Sequence, residues 1–428
     1  MSNALDAVLV LYHHYRAPNA PTILDHAGSF ERHSRFPVVS VNTNDGYPVA
    51  LDDLSFKAIV LHYSLFPGPR YFLDPRFLGF LRRSTDSHKV AFFQDDYRHC
   101  AQRFAFIDEY EIDTVCTPLP DPYTKEVYGR RTNAQDVQTT LTGYVSDDLI
   151  EASERLTLPD DQRTIDVGYR ARRLHYSLGR AGQEKSEIAE RFLEHSHGRG
   201  LRLDIATGEH SRIYGRSWYE FVASCRGMLG VEAGVSIFDF DDSARRRTDE
   251  LLAREPRLSY AEVEERVLGE YEGNIPYRVV SPRHFEAAAF RVVQILYEGH
   301  YSGVLEPDVH YLALAKDSSN FDDVMARFQD PDVRREITDR AYDDLIASGR
   351  YSYASFVDGI DEHLAAHGLQ PGQIDDAARD EIAVRLRRRH ALSRLVARRR
   401  YLRTRPFPGR RFIAAAYRRA RQAVARVR

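Results

Sequence analysis

Cysteine is nearly absent from this 428-residue chain: Cys100, Cys116 and Cys225 are its only three. They lie too far apart for a zinc cluster and cannot all pair. That argues against a disulfide scaffold and makes a reducing, cytosolic compartment the expectation. No apolar run approaches the ~18 residues of a membrane span. The opening MSNALDAVLVLYHH has no basic leader before its apolar stretch, so it does not read as a secretory signal. Lysine is scarce as well, five against 55 arginines. Missing too are a GxxxxGK[ST] phosphate loop, an HExxH, a GxSxG elbow and a GxGxxG after the first apolar run, which removes sequence support for simple dinucleotide or ATP binding.

What is present is a globular composition, 43% apolar and 29% charged, long enough for two to three domains. The net charge of −3 hides an asymmetry. Arg385 to Arg428 holds 17 arginines and no acidic residue, so this tail carries +17 and the body −20.

Short β-rich runs alternate with helical stretches along the body. AVLVLY (7–12), PVVSV (37–41), FKAIVLHY (56–63), KVAFF (89–93) and IDTVCT (112–117) are continuous apolar runs, as strands of a parallel sheet covered on both faces should be. A second series starts with TIDVGY (164–169) and continues through RLDIA, GMLGV, VSIFDF and VVQILY. The pattern predicts two tandem α/β domains, 1–155 and 156–345, then closing helices at 346–380 and the Arg-rich tail at 381–428. Ligands of such sheets bind at the carboxyl ends of the strands, here in a cleft between domains.

The segment 281–320, SPRHFEAAAFRVVQILYEGHYSGVLEPDVHYLALAKDSSN, is the most informative. It resembles the C-terminal domain of GT-B glycosyltransferases, especially a bacterial branch carrying SPRxxEA, a YSG turn and HYxxL. The strings VLHYS, QDDY and TGYVSDD resemble the same branch more weakly in the first half. The resemblance implies an α/β GT-B fold of two Rossmann-like domains facing a cleft. It also implies transfer of a sugar from a nucleoside-diphosphate donor, with the N-terminal domain on the acceptor. No cofactor is expected beyond the nucleotide sugar as co-substrate, and no metal.

Within that resemblance Glu286 would take hydrogen bonds from the ribose hydroxyls. The competing account is a carboxylate placed near a helix N-terminus for its dipole. Arg180 and Lys185, in GRAGQEK, match the family's Arg-x4-Lys spacing for the diphosphate, with Arg170 or Arg172 after TIDVGY as rivals. Ser281, Arg283, His284, Tyr301, Ser302 and Gly303 would line the nucleotide pocket. Glu298 and Glu306 reproduce an E-x7-E spacing, but the register makes Glu286 the second glutamate. The position eight residues earlier is then Arg278, a departure from the family; Glu272 and Arg283 are possible substitutes. Asp239-x-Asp241 has the form of a metal-holding D-x-D, yet the motif is short and common, and an exposed turn is the expectation. In the first domain His13, His14, His62, Asp95 and Asp96 end strands. Of these His13, His62 and Asp96 are the candidates for acid–base work at the acceptor hydroxyl.

In the tail, Ile413, Ala416, Tyr417, Ala420, Val424 and Val427 fall within an arc of roughly 100° on a helical wheel, with arginines opposite. Such a face reads as a membrane-surface helix. This places the protein in the cytoplasm, peripheral to the inner face of the membrane, with a cell-envelope or lipid-linked acceptor. A protein partner, self-association or a merely solvated helix compete; nucleic acid is disfavoured because the body carries no recognition motif. Two other readings stay open: a catalytically silent GT-B-like assembly protein, and a metal-dependent sugar or nucleotide enzyme using Asp239 and Asp241.

Overall fold

The computed structural model describes residues 5–15 and 22–371, so the basic tail lies outside the described residues. The first domain is a parallel sheet of six strands: β1 Leu5–Tyr12, β2 Val38–Asn42, β3 Phe56–Leu61, β4 His88–Phe92, β5 Thr114–Thr117 and β6 Asp136–Thr139. Their order is β2-β1-β3-β4-β5-β6. The continuous apolar runs have a physical reason. Leu9, Leu11, Ile59, Leu61 and Ala91 point into one core, while Val8, Val10, Ala58, Val60 and Val90 point into another on the opposite face. A strand with two dry faces cannot alternate.

The second domain holds β7 Ile165–Arg170, β8 Leu203–Ala206, β9 Cys225–Gly230, β10 Ala233–Val235, β11 Tyr277–Val279, β12 Val293–Tyr297 and β13 Leu312–Leu314. Five of these form a parallel sheet in the order β13-β12-β9-β7-β8, and β10 pairs antiparallel with β11. Helix Asp147–Leu156 already packs into this domain, through Leu149 and Ala152. Helix Tyr353–Ala366 returns to the first, where Phe356, Val357, Ile360 and Leu364 cover Val8, Val10 and Phe92. The closing helix thereby completes the first domain's core.

Two elements depart from the sequence expectation. β6, in the polar string DVQT, gave no apolar signal; it is an edge strand with no buried residue. VSIFDF does not form a sheet strand: pairing stops at Val235. Beyond it Phe238 joins the first domain's core and Ile237 packs under the helical segment that follows. Its apolar residues are buried between units, a burial that periodicity cannot distinguish from a strand. All three cysteines are buried and unpaired. No helix among the described residues is long and apolar enough to cross a membrane.

Candidate functional site

The docking of the two domains turns the carboxyl end of β4 towards the second domain. Asp239 N–H donates to Tyr97 O at 2.8 Å, His99 N–H donates to Asp242 Oδ1 at 3.0 Å, and Thr142 Oγ1 donates to Val280 O at 2.6 Å. The Val235–Asp242 stretch is thus the bridge beneath the cleft.

On the second-domain side, cations converge. Lys185 lies on helix Arg180–His195, half-buried, and its charge is felt by Asp95, Arg283, Arg172 and Arg278. Its ammonium is lowered to about 8, mainly by burial; Asp95 of the first domain opposes this, while Arg283, Arg172 and Arg278 add to it. Arg278 is held by Glu184 and Glu232, both nearly dry, with its Nε 3.0 Å from Glu232 Oε2. Lys316 Nζ donates to Glu184 Oε1 at 2.7 Å. Arg172, Lys185, Arg278, Arg283 and Lys316 gather here with Asp95, Glu184 and Glu232, and Glu286 acts on Arg283. Arg278 and Lys316 are ion-paired. Lys185 and Arg172 make no hydrogen bond or ion pair with the described residues.

The turn after β12 is built to the same point. Tyr301, Ser302 and Gly303 all have positive φ (47°, 58° and 70°), an unusual run for two non-glycine residues. Glu232 secures it by accepting His300 N–H at 3.1 Å and Tyr301 N–H at 2.8 Å, and Ser302 Oγ accepts Val280 N–H at 3.1 Å. Gly299 lies so close to Glu232 that a Cβ there would overlap its carboxylate. Glu232 therefore both shapes the turn and holds Arg278.

Glu286 is the fifth residue of helix Pro282–Ala289, in its second turn rather than at its end. A dipole role accordingly loses most of its force. Trp218 Nε1–H donates to Glu286 Oε2 at 2.7 Å, and burial raises the carboxyl above its ordinary range. The Arg283 guanidinium stacks 4.8 Å over the Trp218 ring and donates to Arg170 O, joining Glu286 to the carboxyl end of β7. Asp25, from helix Thr22–His33, feels the charges of Asp148 and Glu286; its carboxyl is pushed up to about 6, mainly by burial.

Several candidates are occupied elsewhere. Arg170 is tied to Asp204 at 2.8 Å. Arg180 is exposed and paired with Glu264 at 2.6 Å, on the helical insert. Glu272 accepts Arg180 N–H at 3.2 Å, so a carboxylate already sits on that helix start. His284 is 3% exposed and bonded to Gln294 at 2.9 Å; Tyr301 is fully buried, donating to Tyr297 O at 2.6 Å. Ser281 stands at the N-cap position of its helix without a side-chain capping bond, and Ser302 and Gly303 are in the turn described above. Glu298 and Glu306 are exposed. Glu306 lines a hollow of about 320 Å³ that shares no residue with the cation cluster.

In the first domain His62 is fully buried. Ser64 N–H donates to its Nδ1 at 3.1 Å, so the ring caps a turn, and burial holds it neutral far below its ordinary range. Asp96 is fully buried too, accepting from Thr117 at 2.7 Å and from Tyr128. His13 stacks on Phe72 at 3.9 Å with Nδ1 2.8 Å from Thr43 Oγ1, its pKa lowered to about 4 by burial and then His14. The exposed carboxylate at this strand end is Asp95, in the left-handed region at φ 52°. Asp239 is 2% exposed, and its two oxygens accept Ala244 N–H at 3.2 Å and Arg245 N–H at 2.8 Å. Asp241 accepts Ser243 N–H at 3.0 Å. Asp239 thus satisfies first-turn N–H groups of helix Ser243–Arg254 with both oxygens, while Asp241 engages one oxygen with Ser243.

Sequence reasoning passed over Glu184, Glu232, Lys316, Trp218 and Asp25. The one available signal was that Lys316, like Lys185, is among only five lysines.

No family model matches the sequence, and no curated protein does. Solved structures do match. An α-glucosyltransferase in complex with UDP-glucose and DNA containing an abasic site aligns over 84% of this chain and 99% of its own, at a TM-score of 0.52 and 10% identity. An α-glucosyltransferase bound to UDP and a 13-mer DNA aligns over the same shares at 0.50 and 10%. At that identity the likeness speaks for architecture alone: two Rossmann-like α/β domains in the GT-B arrangement.

Proposed function

We propose that this protein is a glycosyltransferase that moves a sugar from a nucleoside-diphosphate donor to an acceptor hydroxyl. The observation that carries the reading is the cation cluster at the strand ends of a GT-B fold. It includes an ammonium, Lys185, that makes no direct ion pair with the described residues, Asp95 acting on it only through its charge. Lys185 and Arg172 would take the diphosphate, with Arg283 beside them; Arg278 and Lys316, fixed by Glu184, would set the field. Glu286 would face the ribose from beneath Trp218. As the glycosidic bond breaks, negative charge gathers on the departing diphosphate, and preorganised cations stabilise it without reorganising. The UDP-glucose complex of the architectural neighbour favours a uridine nucleotide.

On the acceptor side, Asp95 and Asp25 are better placed than His62 or Asp96, whose polar atoms face the core. The acceptor itself would be a cell-envelope or lipid-linked glycan if residues 381–428 dock on an anionic membrane. Each basic residue there contributes about 1 kcal/mol. A catalytically silent role is the second reading, favoured by Arg278 standing where a glutamate is expected. The deciding experiment is a thermal-shift screen of UDP, GDP, ADP and their sugars, with and without EDTA, followed by measurement of nucleotide release from the stabilising donor. Stabilisation by a donor without any release over hours favours the silent reading; no stabilisation by any nucleotide removes both.

A further inference from the structure

A second constellation lies at the opposite end of the first domain's sheet. β4 begins at His88 and ends before Asp95, so His88 is a strand's length from the cleft. Over it passes the end of helix Tyr353–Ala366, carrying His363 and, one turn on, His367. The ligand atoms of these three histidines all lie within 4.8 Å of one another. The Nε2 atoms of His88 and His363 are 3.2 Å apart. Two imidazoles on one tetrahedral zinc, with Zn–N bonds of 2.0–2.1 Å, hold their nitrogens about 3.3 Å apart.

A carboxylate stands behind two of the rings, a small shift away from hydrogen-bond contact. His88 Nδ1 is 3.9 Å from Asp113 Oδ2, and His363 Nδ1 is 3.7 Å from Asp136 Oδ2. His367 Nδ1 donates to His363 O at 2.9 Å, which leaves its Nε2 with a free lone pair. Carboxylates and carbonyls behind the rings are what orient metal-bound histidines. Without an ion, Gln138 Nε2 lies 2.8 Å from His363 Nδ1, and Thr114 Oγ1 is 2.8 Å and 3.0 Å from the His363 and His88 Nε2 atoms. Those contacts place the His363 proton on Nε2. An ion would require it to leave or to move to Nδ1, towards Asp136.

We infer that His88, His363 and His367 form a three-histidine site for a divalent transition-metal ion of the zinc class, clamping the returning helix Tyr353–Ala366 onto the start of β4. The site shares no residue with the cation cluster and is a structural clamp independent of donor binding. Imidazole nitrogens with one open position suit Zn²⁺ or Co²⁺ far better than Mg²⁺ or Ca²⁺, which seek oxygen.

The test uses the untagged full-length chain titrated with Zn²⁺ by calorimetry and with Co²⁺ by visible absorption. One ion per chain is expected, with the intense visible bands of tetrahedral Co²⁺ and a melting temperature raised by Zn²⁺ and returned by EDTA. His367 is exposed, so His367→Ala should fold normally; it should raise the Zn²⁺ Kd at least ~10-fold, and Asp136→Asn by roughly 10–100-fold. His197→Ala, at an exposed histidine elsewhere, should change nothing. Absence of a stoichiometric site overturns the inference. So does a His367→Ala protein that binds as tightly as the wild type, or a His197→Ala protein that loses as much affinity as His367→Ala.

Discussion

The state of Lys185 links the proposed donor site to pH in a way that can be measured. Free, its ammonium titrates at about 8, lowered first by burial and then by Arg283, Arg172 and Arg278. A diphosphate laid against it adds negative charge and restores the ordinary lysine range. The bound state therefore holds more protons than the free state, and affinity must fall as pH rises through 8. Between pH 7 and pH 9 the protonated fraction drops from ~0.9 to ~0.1, so UDP affinity should fall about tenfold, or ~1.4 kcal/mol. At pH 8, binding should take up ~0.5 proton.

Calorimetry in two buffers of different ionisation enthalpy reads that uptake directly. Lys185→Arg keeps a permanent charge and should flatten the pH dependence, which also corrects for titration of the nucleotide itself. Lys185→Met should lose roughly 1.5–3 kcal/mol at pH 7, the scale of one charged hydrogen bond. Should Lys185→Met bind UDP like the wild type, or should the wild type and Lys185→Arg share one pH profile, the cation cluster is not the diphosphate site.

Other consequences are separable from that one. Glu286→Ala should weaken nucleotide-sugar binding by roughly 1.5–3 kcal/mol and Glu306→Ala clearly less, by the same calorimetry; the reverse order would overturn the register of 281–320. Arg278→Met leaves Glu184 with Lys316 alone and Glu232 with only its backbone donors, and should cost ~3 kcal/mol in denaturant unfolding. The triple variant that adds Glu184→Gln and Glu232→Gln should recover much of that loss. Asp25 has a folded pKa near 6 against 3.8 for the free group, so the native state loses stability as pH rises from about 4 to 6. Asp25→Asn should remove that slope and gain ~1–2 kcal/mol at pH 7, while slowing any turnover that uses the carboxylate. Removing 381–428 should leave donor binding intact and abolish sedimentation with anionic liposomes, which in the intact chain should weaken as salt rises. Retained sedimentation, or binding of duplex DNA in place of liposomes, would reassign the tail.

The sheets were legible because a strand dry on both faces, as β1 and β3 are, writes itself as a nearly uninterrupted apolar run; nine of the thirteen strands coincide with segments singled out in the sequence, the half-buried edge strand β8 among them. β6 carried no such signal, and the two-stranded β10–β11 ribbon is too short to leave one. The site was legible only in part, for a different reason. Position after a parallel strand puts a residue near the cleft, but one peptide unit decides whether the side chain faces solvent or core. Asp95, in a left-handed backbone conformation, is exposed and its charge acts on Lys185; Asp96 is sealed against Tyr128 and Thr117. Nothing in the dipeptide distinguishes them. The same limit governs Arg278. Read as a lone departure it suggests a lost function. Once Glu184 and Glu232 are seen around it, it becomes the centre of a compensated buried set. A charge there is tolerable only because two carboxylates came with it. Those carboxylates lie 94 and 46 residues away in sequence, so the substitution and its compensation become one feature only after folding.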